Sequence, residues 1–267
     1  MSTIEERDLS SLKVSVGIVT YNDEDIILDC LKSIYKHTRG IQMEVYLYDN
    51  CSQDKTVELV LERYPQVWLI RGRRNRGFGY GHNRILKKVD SNYHVILNPD
   101  ILFRSNAIHQ MAAFMEDHPD VVMAQPKLLN PDGSEQFTPK RAPSFKYMMS
   151  GRLQKLPGPF KKWRDEYTMK NEPLVRPTDI YFMAGCFMMA RTNVLKEVGG
   201  FDTRYFLYNE DVDLTRTMRQ KGRCVFVPQV AVVHMWQRGY MKSPKLFRIQ
   251  LSSMFKYFRK WRGQKYE

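Results

Sequence analysis

The stretch YHVILNPDILF, residues 93–103, decides the fold. Val95-Ile96-Leu97 is a short apolar run of the kind that forms a buried strand, and it stops at Asn98-Pro99-Asp100 before apolar residues resume. Pro99 cannot donate to a ladder, so it ends the strand and leaves Asp100 on the rim of the sheet the strand joins. Read by itself, Asp100 is a turn residue capping the next helix. On a ligand-facing rim, the same carboxylate is a hard oxygen ligand for Mg²⁺ or Mn²⁺.

The neighbouring sequence says which kind of rim it is. Upstream, VSVGIVT (14–20) reads as a strand, and EDIILDCLKSIYKHT (24–38) as a helix with Ile27, Leu31 and Ile34 on one face and Asn22 or Asp23 as its cap. MEVYLYD (43–49) is the next strand, KTVELVLERY (55–64) a helix and VWLI (67–70) a strand, with a third helix following RGFGYGHN (76–83). Such alternation predicts an α/β fold, a mainly parallel sheet with helices on both faces. Ligands then bind at the carboxyl ends of the strands. Those ends are polar here: Thr20-Tyr21-Asn22, Asp49-Asn50, Arg71 to Arg76, and Asn98-Pro99-Asp100.

Downstream, Ser105–His118 reads as a helix, and VVMAQPKLLNPDGS (121–134) as a strand and a turn. Residues 139–177, rich in Pro and Lys/Arg, read as an irregular surface insertion. A helix over 191–198, the NEDVDLTRTMRQKG helix (209–222) and the CVFVPQVAVVH strand (224–234) complete the body. A basic amphipathic helical extension follows over 238–267, with Phe247, Leu251, Met254, Phe258 and Trp261 in one stripe.

Composition narrows the class. The 267 residues are 43% hydrophobic and 27% charged, an ordinary globular balance. Four scattered cysteines without C-x-x-C spacing suggest neither zinc nor a disulfide framework, and free thiols fit a reducing compartment. The polar N-terminus lacks the pattern of a signal peptide and the longest apolar run is too short to span a bilayer, so a cytoplasmic location is expected. The net charge of +13 is localised: residues 140–176 hold ten Lys/Arg against three Asp/Glu and residues 238–267 nine against one, leaving 23 against 25 elsewhere. A near-neutral body argues against nucleic-acid binding. The basic extension fits docking on an anionic membrane surface, or packing on its own domain.

Three motifs carry possible chemistry. NRGFGYGHN (75–83) leads glycines into a helix start, which suits a phosphate, but it lacks the spacing of a dinucleotide fingerprint. YNEDVDL (208–214) packs Glu210, Asp211 and Asp213 into four residues; acids favour a helix start, yet so dense a group repels itself unless a cation or a substrate hydroxyl offsets it. His234 ends an apolar strand, where a satisfied structural histidine is the commoner case.

Together VGIVTYN, CLKSI, VYLYDNCSQDKTVE, NRGFGYGHN, LNPD, PKLLNPDGS, VGGFDTRYFLYNEDVDL and VPQVAVVH, in that order from Val14 to His234, resemble the family 2 glycosyltransferases of the GT-A fold, closest to the bacterial rhamnosyltransferase branch. The resemblance implies a glycosyltransferase domain over 1–237, with a nucleotide-binding half (1–100) and an acceptor-binding half (101–237), followed by the extension. It implies that Thr20, Tyr21, Asn22 and Asp49 hold base and ribose, that Asn75, Gly77, Asn83 and Asn98 line the nucleotide-sugar site, and that Asp100 and His234 hold a divalent cation, Mg²⁺ or Mn²⁺. Asp211 matches the catalytic base, with Glu210 and Asp213 as close alternatives. The implied reaction is inverting transfer from a nucleotide-diphospho-sugar, dTDP-rhamnose favoured and a UDP-hexose or UDP-N-acetylhexosamine the alternative. Its acceptor is a saccharide or polyprenyl-linked saccharide at the inner face of the cell membrane. The sequence departs from the family at Asn98, where many relatives carry Asp, and at His82, where a small or amide residue is common.

Overall fold

A computed structural model describes residues 7–138, 141–153, 156–235 and 244–266. The first half alternates as the sequence predicts: β1 (Leu9–Thr20), α1 (Ile27–His37), β2 (Ile41–Asp49), α2 (Thr56–Arg63), β3 (Trp68–Arg71), α3 (Phe78–Leu86) and β4 (Tyr93–Leu97). All five β4 residues are buried. Because strand side chains alternate, Val95 and Leu97 join Val16, Ile18, Leu31 and Ile34 on one face, while Ile96 joins Ile85 and Leu86 of α3 on the other. Burying each such side chain stabilises the fold by about 1.5–3 kcal/mol.

The second half adds β5 (Ile101–Leu102), α4 (Ala107–Asp117), β6 (Val121–Leu129), α5 (Phe145–Leu153), α6 (Phe160–Tyr167), β7 (Thr178–Asp179), β8 (Phe187–Arg191), α7 (Thr192–Glu197), α8 (Glu210–Arg219), β9 (Arg223–His234) and α9 (Pro244–Lys260). The sheet order is β3-β2-β1-β4-β8-β6-β9-β5, with β7 paired to β9. β1 to β4 are mutually parallel. β8 lies antiparallel between β4 and β6, β9 resumes the first direction beside β6, and β5 and β7 oppose β9. Most strands thus share one direction, and the carboxyl ends of β1, β2, β3 and β4 meet along one rim.

Two expectations change. Residues 139–177 are not irregular: among the described residues they form α5 and α6, which pack through Tyr147 and Tyr167 against Tyr205, Val212, Tyr257 and Trp261. α5 shows almost no amphipathic periodicity, and α6 is a short, mostly charged segment whose apolar face is only Phe160, Trp163 and Tyr167. Neither Asn22 nor Asp23 caps α1 with its side chain; the Asp23 carbonyl takes the N–H groups of Ile26 and Ile27 instead.

The extension packs on the domain. Ser253, Met254, Tyr257 and Trp261 of the α9 region are buried, Phe247, Leu251 and Phe258 are half-buried, and Lys245, Arg248, Arg259 and Arg262 are exposed together with Phe255. The expected stripe is therefore rotated, with Tyr257 and Ser253 on the inner face. Residues 238–243 of the extension lie outside the described residues. Among the described residues no helix is long and apolar enough to cross a membrane.

Candidate active site

The loops after β1, β3 and β4 enclose a cleft of about 320 Å³ lined by Thr20, Tyr21, Asp23, Asn75, Gly77, Asn98 and Asp100. Thr20 Oγ1 donates to Asp23 Oδ2 at 2.7 Å, and the Tyr21 N–H donates to the same oxygen at 3.0 Å. Burial raises the pKa of Asp23, and the charge of Asp100 adds to that. Gly77 has φ +90, and a Cβ there would lie 2.1 Å from the Phe206 carbonyl, so no other residue fits. Asn50 braces the loop: its Nδ2 donates to the Gly77 carbonyl at 3.1 Å and its Oδ1 accepts from Arg76 N–H at 3.1 Å.

Asp100 and His234, far apart in sequence, meet because β5 pairs with β9 and sets Ile101 opposite His234. Their Oδ2 and Nε2 atoms are 3.4 Å apart, and Asp100 Oδ1 is buried with no partner among the described residues. His234 Nδ1 lies 2.8 Å from Gln136 Oε1, while Gln136 Nε2 donates to the His234 carbonyl. That amide orientation puts a proton on Nδ1, and Nε2 is the ring atom that approaches Asp100. A carboxylate oxygen without a donor and an oriented imidazole fit a divalent cation. Among the described residues no group of three or more His, Cys, Asp or Glu could hold a metal. The pair thus suits a cation that takes its remaining ligands from phosphate and water oxygens.

A second cavity, about 360 Å³, opens on the other side of Asn98 and is lined by Glu210, Asp211, Gly185, Tyr147 and Tyr167 among others. It shares Phe78, Asn98 and Leu207 with the first cleft, so the two are adjacent, and His234 is part of its lining. Asp211 Oδ2 accepts from the Gly185 N–H at 3.2 Å and Oδ1 from the Val212 N–H at 2.9 Å. A Cβ on Gly185 would press on Asp211 Cβ at 3.3 Å, so the missing side chain is what lets the carboxylate reach this backbone. Burial pushes the Asp211 pKa up to about 6, although the two N–H bonds oppose it. Glu210 is raised further, by burial first and by Asp211 second. Tyr208 and Asn209, just before α8, both have positive φ, +67 and +66. Such strain costs about 1–3 kcal/mol per residue and concentrates at functional sites.

Other expected site residues are placed elsewhere. Asp213 turns away from the cavity: Lys260 Nζ donates to its Oδ2 at 2.6 Å, Trp261 Nε1 to its Oδ1 at 2.7 Å, and Tyr205 Oη to its Oδ1 at 3.3 Å. Asn83 clamps α3 to the turn at Phe201, donating to that carbonyl and accepting from that N–H. Asn22 is exposed and accepts from Gln53 N–H. Asp49 ends β2 opposite Thr20, is 2% exposed, and accepts from Ser52 N–H at 3.0 Å without lining the cleft. Sequence reasoning passed over Asp23 as a site residue, and over Gly185, Gln136 and Asn209. Asn209 stood inside the YNEDVDL motif and Asp23 directly after VGIVTYN; Gly185 and Gln136 gain meaning from contacts across the fold.

This architecture is that of the GT-A glycosyltransferases: it superimposes on the crystal structure of GalNAc-T7 with UDP, GalNAc and Mn²⁺ with a TM-score of 0.69, covering 95% of this chain and 48% of that one at 18% identity. The family profile of glycosyl transferase family 2 matches residues 15–199, and the chain belongs to that family. It is similar to the N-acetylglucosaminyl-diphospho-decaprenol L-rhamnosyltransferase of Mycobacterium tuberculosis, 29% identical over 208 residues, which are 72% of this chain and 66% of the relative. The chain thus spans just under two thirds of that relative's length. It is also similar to rhamnosyltransferase WbbL of Escherichia coli, 23% identical over 263 residues, covering 91% of this chain and 92% of that one.

Proposed function

We propose that this chain is an inverting glycosyltransferase that moves a sugar, L-rhamnose in the favoured reading, from a nucleotide-diphospho-sugar to a saccharide or polyprenyl-linked saccharide in cell-surface polysaccharide synthesis. One observation carries the reading: a half-buried carboxylate with a raised pKa, Asp211, lines the same cavity as His234, and His234 lies 3.4 Å from Asp100, which lines the adjacent cleft with Gly77. The donor nucleotide occupies the first cleft, its base against exposed Tyr21 and its diphosphate beside Asn75, Gly77 and Asn98. Asp100 and His234 hold Mg²⁺ or Mn²⁺, and such a cation, when bound, neutralises the charge that develops on the diphosphate leaving group. In the second cavity, Asp211 accepts the proton of the acceptor hydroxyl as that oxygen attacks the anomeric carbon from the face opposite the leaving group. A pKa near 6 leaves this base ionised at neutral pH yet basic enough to take the proton.

The choice of rhamnose is supported by the two rhamnosyltransferase relatives, and divalent metal by the Mn²⁺ complex of the structural neighbour. The exposed basic residues of the α9 region with Phe255 support peripheral docking on an anionic membrane. Thermal-shift measurements with a panel of dTDP- and UDP-sugars, each with and without Mn²⁺, test the reading. A stabilisation that needs both dTDP-rhamnose and Mn²⁺ is expected; stabilisation by a UDP-sugar alone moves the donor to a hexose or N-acetylhexosamine, and no response to any nucleotide sugar overturns the assignment.

A further inference from the structure

Asn209 occupies the N-cap position of α8, where an asparagine ordinarily turns its side-chain oxygen onto the first-turn N–H groups. It makes no such bond. The residue is only 8% exposed, and its Nδ2 is buried with no partner among the described residues. Glu210, the next residue, is 5% exposed, and its Oε2 is likewise buried and unpartnered. Both line the cavity that contains Asp211. Buried polar groups in folded proteins almost always find partners, so two adjacent orphans on residues that line one cavity mark a place where a ligand completes the bonding. The pair consists of an N–H donor and a carboxyl group, and its complement is two neighbouring hydroxyls, each able both to donate and to accept. Apolar and aromatic lining with a few fixed polar groups is the general build of a small-molecule site, and Tyr147, Tyr167 and Phe182 supply that lining here.

We propose that the Asn209 amide and the Glu210 carboxyl form the specificity site for the acceptor, hydrogen-bonding two adjacent hydroxyls of its sugar ring beside the hydroxyl that attacks. The proposal rests on the reading of Asp211 as the base for that hydroxyl. Burial first, and the Asp211 carboxylate second, raise the pKa of Glu210.

The test is binding of methyl glycosides of N-acetylglucosamine, galactose and rhamnose, and of their singly deoxygenated analogues, to the full chain with Mn²⁺ and dTDP, followed by saturation-transfer NMR and titration. Asn209→Gly removes the amide at a φ that glycine adopts freely, so the variant is expected to fold at least as well as the parent. Glu210→Gln keeps the shape and removes the acid. For the parent, deleting one of two adjacent hydroxyls weakens binding about tenfold, the effect of one lost hydrogen bond. For Asn209→Gly or Glu210→Gln, binding of the full glycoside is weaker by a similar factor and the matching deoxygenation costs nothing more. Equal losses in parent and variants, or no glycoside binding by the folded parent, overturn the proposal. Undiminished transfer by Asp211→Asn would remove the base assignment while leaving the binding result to stand on its own.

Discussion

Asp211 is charged at neutral pH in a place that resists the charge, and that tension sets its expected behaviour. Its folded pKa is raised from 3.8 to about 6, so the unfolded chain gives up this proton first as pH rises. Stability is therefore lost as pH climbs from about 4 through about 6, on the order of 3 kcal/mol in total. Asp211→Asn should lower transfer by about 10³-fold while leaving donor-nucleotide affinity unchanged. Calorimetry and initial rates check the two halves together. The same pKa predicts that transfer by the parent declines about tenfold per pH unit below about 6, because only the ionised carboxylate accepts the proton. Gly77→Ala is expected to weaken donor binding in a titration, because the methyl group would collide with the Phe206 carbonyl on which the loop rests.

At the level of elements, α8 and α9 share one carboxylate. Asp213 is 1% exposed and bonded to Lys260 and Trp261 from the end of α9, while Ser253 Oγ donates to the Leu207 carbonyl and Lys256 Nζ to that of Arg204. The C-terminal helix thereby holds the 202–209 loop that leads into Asn209, Glu210 and Asp211. Asp213→Ala, which leaves the Trp261 N–H without its partner and the Lys260 ammonium with Asp202 alone, should destabilise the fold by about 2 kcal/mol in denaturant titration. Removing α9 uncovers Tyr205 and Val212, which pack against Tyr257 and Trp261, so truncation is expected to lower stability and transfer together. Charge reversal of Lys245, Arg248, Arg259 and Arg262, all outward-facing, is the cleaner probe of membrane docking: co-sedimentation with anionic vesicles should fall while the melting temperature holds.

Across the whole molecule, two neutral histidines are sealed into the packing between α3 and the sheet. Burial lowers the pKa of His94 from 6.5 to about 3, and that of His82 well below its ordinary value, with His94 adding to the latter. The unfolded chain takes up these protons below about pH 6.5 and the folded chain does not, so stability falls as pH drops from 6.5 toward 3, on the order of 5 kcal/mol for His94 alone. A melting-temperature series should show that decline, and His94→Gln should flatten it. The alternation of strands and helices over the first hundred residues, the polar strand ends and the order of the motifs were legible because local periodicity and turn chemistry act within a few residues of the chain. The helices of residues 139–177 were not, since their apolar partners, Tyr205, Val212, Tyr257 and Trp261, lie far along the sequence. Among the three acids of YNEDVDL the sequence could only group Glu210, Asp211 and Asp213. Their separate roles follow from direction along α8, which turns Asp211 onto the Gly185 backbone and Asp213 onto Lys260. By itself, then, the sequence determined the α/β architecture and the carboxylates available to it, through short-range patterning. The tertiary structure alone decided which of those carboxylates face the cavity, which one ties down the C-terminal helix, and that Asp100 and His234 meet, because each of these depends on contacts between residues that only the folded sheet brings together.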